Sequence, residues 1–351
     1  MGSYFGCEDR ERRKPMNWAF RDSRAVSCLG QTQDLANISM MTDFLLLGFL
    51  EVRELQLVHA VLFLLVYLAA LMGNLLIVSV TVLDRHLQTP MYFFLRNLSI
   101  LDLCLITVTV PKSVLNSLTN CNSISFLGCA AQVFLVVLFG SSEFFILTAM
   151  SYDRYVAICH PLSYGVIMDP GACVRVAAAS WLSGGLCGIL FSAPTFSLSF
   201  CGSNVVQQFF CDVPSLLRIS CSEDHVALDV CVTTGVVLAF VCFVSIIVSY
   251  LRIFRAVLKM PAAEGRAKAF STCLPHLAVV TLFVMTCSYA YLKPPSGSHS
   301  TLDLLVPMFY TMVPPALNPL IYSLRNRDMK AALGRVLGGN GFYLREKIII
   351  L

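Results

Sequence analysis

Charge is what this chain has least of. Only 13% of its 351 residues are Asp, Glu, Lys or Arg, whereas a soluble domain typically carries about 25%. Hydrophobic residues make up 57%, and the mean hydropathy is +0.73. A chain this long and this poor in charge reads as a polytopic membrane protein whose surroundings are a lipid bilayer. The net charge of +4 is mild, and no nucleic acid is expected among its partners. The 15 cysteines contain no CxxC pair, and several fall inside apolar runs, so they do not read as a metal cluster. HExxH, GxSxG and P-loop patterns are missing and the histidines are dispersed, which argues against an enzyme. The first forty residues hold no apolar core of signal length, so the first apolar helix is expected to act as its own insertion signal. No internal repeat of the kind that marks many transporters is evident.

What is present is a series of long apolar runs. A helix needs roughly 20 mostly apolar residues to cross a bilayer. Seven segments qualify: Leu57–Leu83, Met91–Leu115, Phe126–Ile158, Val174–Pro194, Ala227–Leu251, Ala269–Leu292 and Leu302–Leu324. They lack the short alternating pattern of a barrel, so the expected fold is all-α, a seven-helix membrane bundle. The third run exceeds what a span requires and is expected to tilt or to extend beyond the bilayer.

Orientation follows from lysine and arginine near the spans. With the C-terminus inside, the inner segments hold Arg85, Arg154, Arg175, Arg252, Arg255, Lys259, Arg266, Lys268 and the basic tail, against only Lys112, Arg218 and Lys293 in the outer loops. Seven spans then put the N-terminus outside. The basic cluster Arg10–Lys14 opposes this weakly from a distance. An outer N-terminus agrees with the glycosylation sequon at Asn37-Ile38-Ser39. A second sequon at Asn97 lies inside a span and is expected to stay unmodified.

Six stretches carry a family resemblance: "GNLLIV" at Gly73, "LQTPMYFFLRNLSILDLC" from Leu87, "MSYDRYVAICHPLSY" from Met150, "SY" at Ser249-Tyr250, "KAFSTCLPHL" from Lys268 and "PALNPLIYSLRN" from Pro315. In this order, from about Thr42 to Leu337, the chain resembles vertebrate olfactory receptors, a branch of the rhodopsin-like G-protein-coupled receptors. The resemblance implies a cell-membrane protein that binds a small volatile odorant and activates a heterotrimeric G protein of the stimulatory, olfactory type, raising cyclic AMP. The alternatives are a non-olfactory chemosensory receptor of the same class, then a transporter or channel. Residues 1–56 are expected to form an outer N-terminal segment, 57–324 the receptor domain and 325–351 an inner tail. The residues before about Leu35 look like an extension to the family's short N-terminus and are expected to be disordered.

Ionisable residues inside a membrane are rare and usually face the bundle interior. Asp102 in the second span and Glu143 in the third run through the same depth. Two close carboxylates cannot comfortably both ionise, so one is protonated or a cation sits between them. The resemblance associates Asp102 with a sodium site, to which Glu143 looks like an addition. The alternative is a structural hydrogen-bond network with Asn74 and Asn318. In "NPLIY", Pro319 removes a helix hydrogen bond and kinks the seventh span. By resemblance Asn318, Pro319 and Tyr322 form an activation hinge with Tyr250 as partner.

On the outer side the resemblance pairs Cys129 with Cys211 and Cys201 with Cys221, and Cys121 is an odd outer cysteine, either a free thiol or a competitor for one of these partners. A ligand pocket is expected in the outer half, largely apolar. Its third-span wall is Val133, Val136, Val137, Gly140, Ser141 and Phe144. Facing it are Thr234 and Leu238 on the fifth span, Cys287, Ser288 and Tyr291 on the sixth, and Met308 and Thr311 on the seventh. Val136 lies about five helical turns before Arg154, where amine receptors of this superfamily carry an aspartate, which argues against a biogenic-amine ligand. Many relatives have Tyr-Gly after "LF" in the sixth span, whereas this chain has Val284 and Met285, so the aromatic lever seen there is missing.

On the inner side, Asp153, Arg154 and Tyr155 end the third span and read as the restrained half of a receptor switch. Outward movement of the sixth span is expected to open a cleft lined by Arg154, Tyr250, Lys268 and Tyr322. The stretch "RDMKAALGRVL" has amphipathic spacing, with Met329, Leu333 and Leu337 on one side, and is expected to lie on the membrane as a short eighth helix.

Overall fold

The computed structural model describes residues 43–47, 53–119, 122–200, 204–221, 226–259, 263–292, 301–325 and 327–337. Seven long helices run through them: α1 (Arg53–Leu83), α2 (Pro90–Thr119), α3 (Phe126–Cys159), then, after the one-turn helix α4 (Tyr164–Ile167), α5 (Pro170–Phe196); the short loop helix α6 (Val213–Ile219) follows, then α7 (Val226–Leu258), α8 (Ala263–Leu292) and α9 (Thr301–Arg325). A last helix, α10 (Arg327–Leu337), covers the amphipathic stretch. Each of the seven apolar runs falls on one long helix. Five of these, α1, α2, α3, α5 and α7, are long and apolar enough to cross a membrane, and α8 carries a shorter apolar stretch at His276–Tyr289.

Several helices outrun their apolar segments, and at the start of α5 a cap sets the end. Asp169 accepts a hydrogen bond from the Ala172 amide and precedes Pro170, so α5 starts four residues before its apolar run. Ser125 caps α3 in the same way, accepting from the Gly128 amide. At its other end α7 continues past the apolar run through Arg252 and Arg255.

Two properties mark the bundle as built for lipid. Its helices turn large apolar side chains outward, among them Leu65 and Met72 on α1, Leu182 on α5 and Phe240 on α7. An exposed apolar surface of that extent is untenable in water but is ordinary lipid contact. The hydroxyls within the helices also look after themselves: Thr81, Thr109, Thr148, Ser180 and Thr286 each donate to the carbonyl four residues back. No water is needed to satisfy them.

Close packing is arranged by glycine. A Cβ on Gly184 would fall 2.6 Å from the Leu138 carbonyl oxygen, and one on Gly188 would fall 3.0 Å from that of Phe134. The Gly184-x-x-x-Gly188 face thus lets α5 lie against α3 backbone to backbone. On the other side of the bundle, a Cβ on Gly73 would lie 2.7 Å from Cβ of Pro319, so α1 and α9 touch at the kink.

The sequence reading did not foresee a small sheet. Strand β1 (Asp43–Leu46) lies between β2 (Ser123–Ser125), antiparallel, and β3 (Val205–Val206), parallel. Its alternation buries Phe44 and Leu46, and Phe44 packs against Phe126 and Phe200. The segment before the first helix is thereby stitched to the head of α3 and to the long loop between α5 and α7.

Candidate functional site

The loop between α5 and α7 is fastened at several points over one end of the bundle. Cys129 of α3 is disulfide-bonded to Cys211, as the resemblance implied. Gln132, one helical turn on, accepts a hydrogen bond from the Cys211 amide at 2.8 Å and donates to the Val108 carbonyl of α2 at 2.9 Å. Asp212 caps α6 through the Ser215 amide and accepts the Tyr310 hydroxyl proton at 3.1 Å. Burial pushes the Asp212 carboxyl above the usual carboxylate range, against the pull of its hydrogen bonds. Cys221 is disulfide-bonded too; its expected partner Cys201 lies outside the described residues, as do Cys121 and Asn37.

Beneath this loop is a cavity of about 350 Å³, walled by α3, α5, α7 and α8 with Tyr310 from α9. Its volume falls within the range of small-molecule pockets, roughly 300–1,000 Å³. The lining is aliphatic and aromatic, relieved by Ser141, Ser288, the thiols of Cys187 and Cys287, and Tyr310. Among the described residues, no Asp, Glu, Lys or Arg lines it. Phe144 and Phe283 lie face to face, ring centroids 5.7 Å apart, and join α3 to α8 at the wall.

Asp102 and Glu143, both fully buried, lie next to this cavity and share one partner. The Asn318 amide donates to both Asp102 oxygens, at 3.2 and 3.0 Å, and reaches Glu143 at 3.5 Å. Asn74 does something else: its amide donates to the Pro315 carbonyl at 2.9 Å. That carbonyl is the one Pro319, four residues on, cannot serve, because proline has no N–H. Asn74 replaces the missing donor, and Gly73 beside it makes the room. Asn74 Oδ1, Glu143 Oε2 and Asn318 Oδ1 are buried with no hydrogen-bond partner among the described residues. Two carboxylates bridged by the Asn318 amide offer the hard oxygen donors that a small cation takes, so Asp102 and Glu143 fit one.

At the other end of α3, Asp153 is fully buried and ion-paired with Arg154. The Arg154 Nε donates to Asp153 Oδ2 at 2.9 Å, and the Tyr164 hydroxyl donates to Oδ1 at 2.8 Å. A buried acid so partnered is stable, whereas stripped of either donor it is costly. Burial, with Asp153 accepting its proton, pushes the Tyr164 phenol up. Tyr155 contacts His160 at 2.9 Å and accepts from Arg252 of α7 at 3.2 Å. Tyr250 meets His276 of α8 at 2.9 Å, both buried, so α7 and α8 are latched to each other. The side chains of Lys268 and Tyr322 lie outside the described residues.

Known proteins resemble this chain over most of its length. A family model described as olfactory receptor matches residues 63–339. The human protein named Olfactory receptor 14A16 is 56% identical over 305 residues, 87% of this chain and 98% of that one. Olfactory receptor 14A2, also human, is 56% identical over 303 residues, covering 86% and 96% respectively. Olfactory receptor 14L1, human as well, is 52% identical over 322 residues, 91% and 99%. The chain belongs to the olfactory receptor family. It is an odorant receptor of the G-protein-coupled class, a multi-pass membrane protein and not an enzyme.

Of the olfactory receptor residues expected to meet the ligand, Val136, Val137, Gly140, Ser141, Phe144, Leu238, Cys287 and Ser288 line the cavity. Val133 is instead buried beneath the outer loop beside Cys129. The Thr234 hydroxyl is turned back on the Val230 carbonyl, and that of Thr311 on the Pro307 carbonyl. Met308 packs with the Phe209–Phe210 cluster, and the Tyr291 side chain lies outside the described residues. Sequence reasoning missed Cys187 and Phe191 of α5, Tyr310, and the struts Gln132, Asp212 and His276. A signal existed for α5: the Gly184-x-x-x-Gly188 face that brings it onto α3.

Proposed function

We propose that the receptor binds a small, neutral or weakly polar volatile in the cavity between α3, α5, α7 and α8. The observation that carries this is a wall whose described residues bear no charge and are relieved by hydroxyls and thiols. Dispersion and one or two hydrogen bonds hold the odorant, and ordering it costs little because the cavity is preformed. The N-terminus lies outside, with Asn37 available for glycosylation, and the C-terminus inside.

Binding shifts a population. An odorant with higher affinity for the conformer in which α8 has moved outward favours that conformer in proportion to the difference. The Phe144–Phe283 stack ties the α3 wall of the cavity to α8, next to Val284, where the aromatic lever is missing. Opening requires the Tyr250–His276 latch and the Asp153–Arg154 clasp to rearrange, and freed Arg154 meets the C-terminal helix of a stimulatory, olfactory-type G protein. Asn318, Pro319 and Tyr322 supply the hinge in α9. Asp102 and Glu143, bridged by Asn318, would hold a sodium ion, whose positive charge would offset theirs.

An odorant panel read by a cyclic AMP reporter in cells tests this directly. At least one small apolar volatile is expected to raise cyclic AMP, and Arg154→Ala to abolish that response with cell-surface receptor retained. A ligand-gated current in cells lacking G protein would contradict the reading and favour a channel.

A further inference from the structure

The cavity wall reaches the outside of the bundle on its lipid-facing side. Val236 and Phe240 stand one turn apart on α7, line the cavity, and are 36% and 65% exposed. The other lining residues of α7 include Gly235, Ala239 and Phe243, which with Val236 form one helical stripe. One flank of that stripe is shut: a Cβ on Gly235 would fall 2.7 Å from the Phe191 ring of α5. The opposite flank is marked by Phe240, and α7 also packs against α8. There Val284 and Ser288, again one turn apart, line the cavity and are only partly buried.

The water-facing side is built in the opposite way. Phe209 and Phe210 of the loop are buried, packed against Phe63 and Tyr310. The disulfide at Cys211, the Gln132 strut and the Asp212–Tyr310 hydrogen bond hold that plug down. Its removal would break all of these together.

We infer that odorants pass between bilayer and cavity through a lateral mouth between α7 and α8, edged by Val236, Phe240, Val284 and Ser288. A volatile that concentrates in hydrocarbon arrives already stripped of water, and the rim it crosses is apolar apart from one hydroxyl. The mouth selects for lipid-soluble, neutral molecules and excludes ions before the cavity does. This rests on the cavity being the odorant site, but the test reads passage rather than signalling, so the two can fail separately.

Cys287 lines the cavity and is a free thiol. The full chain in nanodiscs is exposed to hexyl methanethiosulfonate, which partitions into lipid, or to the sulfonatoethyl analogue, which does not. Labelling of Cys287 is timed by mass spectrometry. The hexyl reagent should react faster by on the order of tenfold or more, because each methylene favours hydrocarbon over water. Val236→Trp, narrowing the mouth, should slow it severalfold, and Phe240→Ala, widening it, should speed it. Met72→Trp adds an indole at a lipid-facing position on α1, 71% exposed, and should leave the rate alone. Equal rates for the two reagents, a hexyl rate indifferent to Val236→Trp, or no labelling by either would overturn the inference.

Discussion

Asn74 was legible as part of a "GN" pair, but what it does was not, because its partner lies 241 residues away. The sequence showed a proline in an apolar run and an asparagine in another. Only the fold puts the asparagine amide on the carbonyl that the proline orphans. Asn74→Ala should therefore leave a buried carbonyl unsatisfied, at about 1–3 kcal/mol, seen as a lower thermal midpoint of the purified receptor. Gly73→Ala should cost stability by a different route, through collision with Pro319. Asp212 makes a second case at this scale. Its raised value means that the folded loop binds the acid's proton more tightly than the unfolded chain does. Stability from this group is greatest at low pH and falls as pH climbs from the ordinary aspartate value of 3.8 through the raised one. Asp212→Asn keeps a good cap and removes the proton, so its midpoint should lose that part of the pH dependence. An unchanged slope in thermal unfolding would contradict the assignment.

The helices themselves could each be read from the sequence, though not their ends, since each is a run of apolar residues that must satisfy its own backbone in lipid. Where the reading fell short, the ends were governed by caps such as Asp169 rather than by hydropathy. The β1–β2–β3 sheet escaped because its strands are two to four residues long and their partners are remote. The role of α5 escaped for another reason: its glycines were read as part of a span and not as an interface. Gly184→Leu should push α5 off α3, where overpacking typically costs about 1–3 kcal/mol. It should also disturb the Ser142–Ser180 bond and the cavity wall at Cys187. Reduced surface expression, with Gly185→Leu far milder, is the expected pattern, because a Cβ on Gly185 meets nothing closer than 4.0 Å.

For the molecule as a whole, helical spacing outward from Phe144 located most of the third-span wall of the cavity, and "SYDRY" the inner clasp. Neither could supply Tyr310, Phe191 or Cys187, which reach the cavity only because long-range packing brings α5 and α9 to it. The central claim is that this cavity is where an odorant acts on α3 and α8. Gly140 offers the most direct test, since it lines the cavity and a Cβ added there meets nothing within 4 Å. Gly140→Leu should fill ligand space without straining the fold. The measurement is the cyclic AMP dose–response of this variant to whichever volatile activates the wild type. The account predicts normal surface expression with the response lost or shifted to much higher concentration. A dose–response indistinguishable from wild type would contradict it.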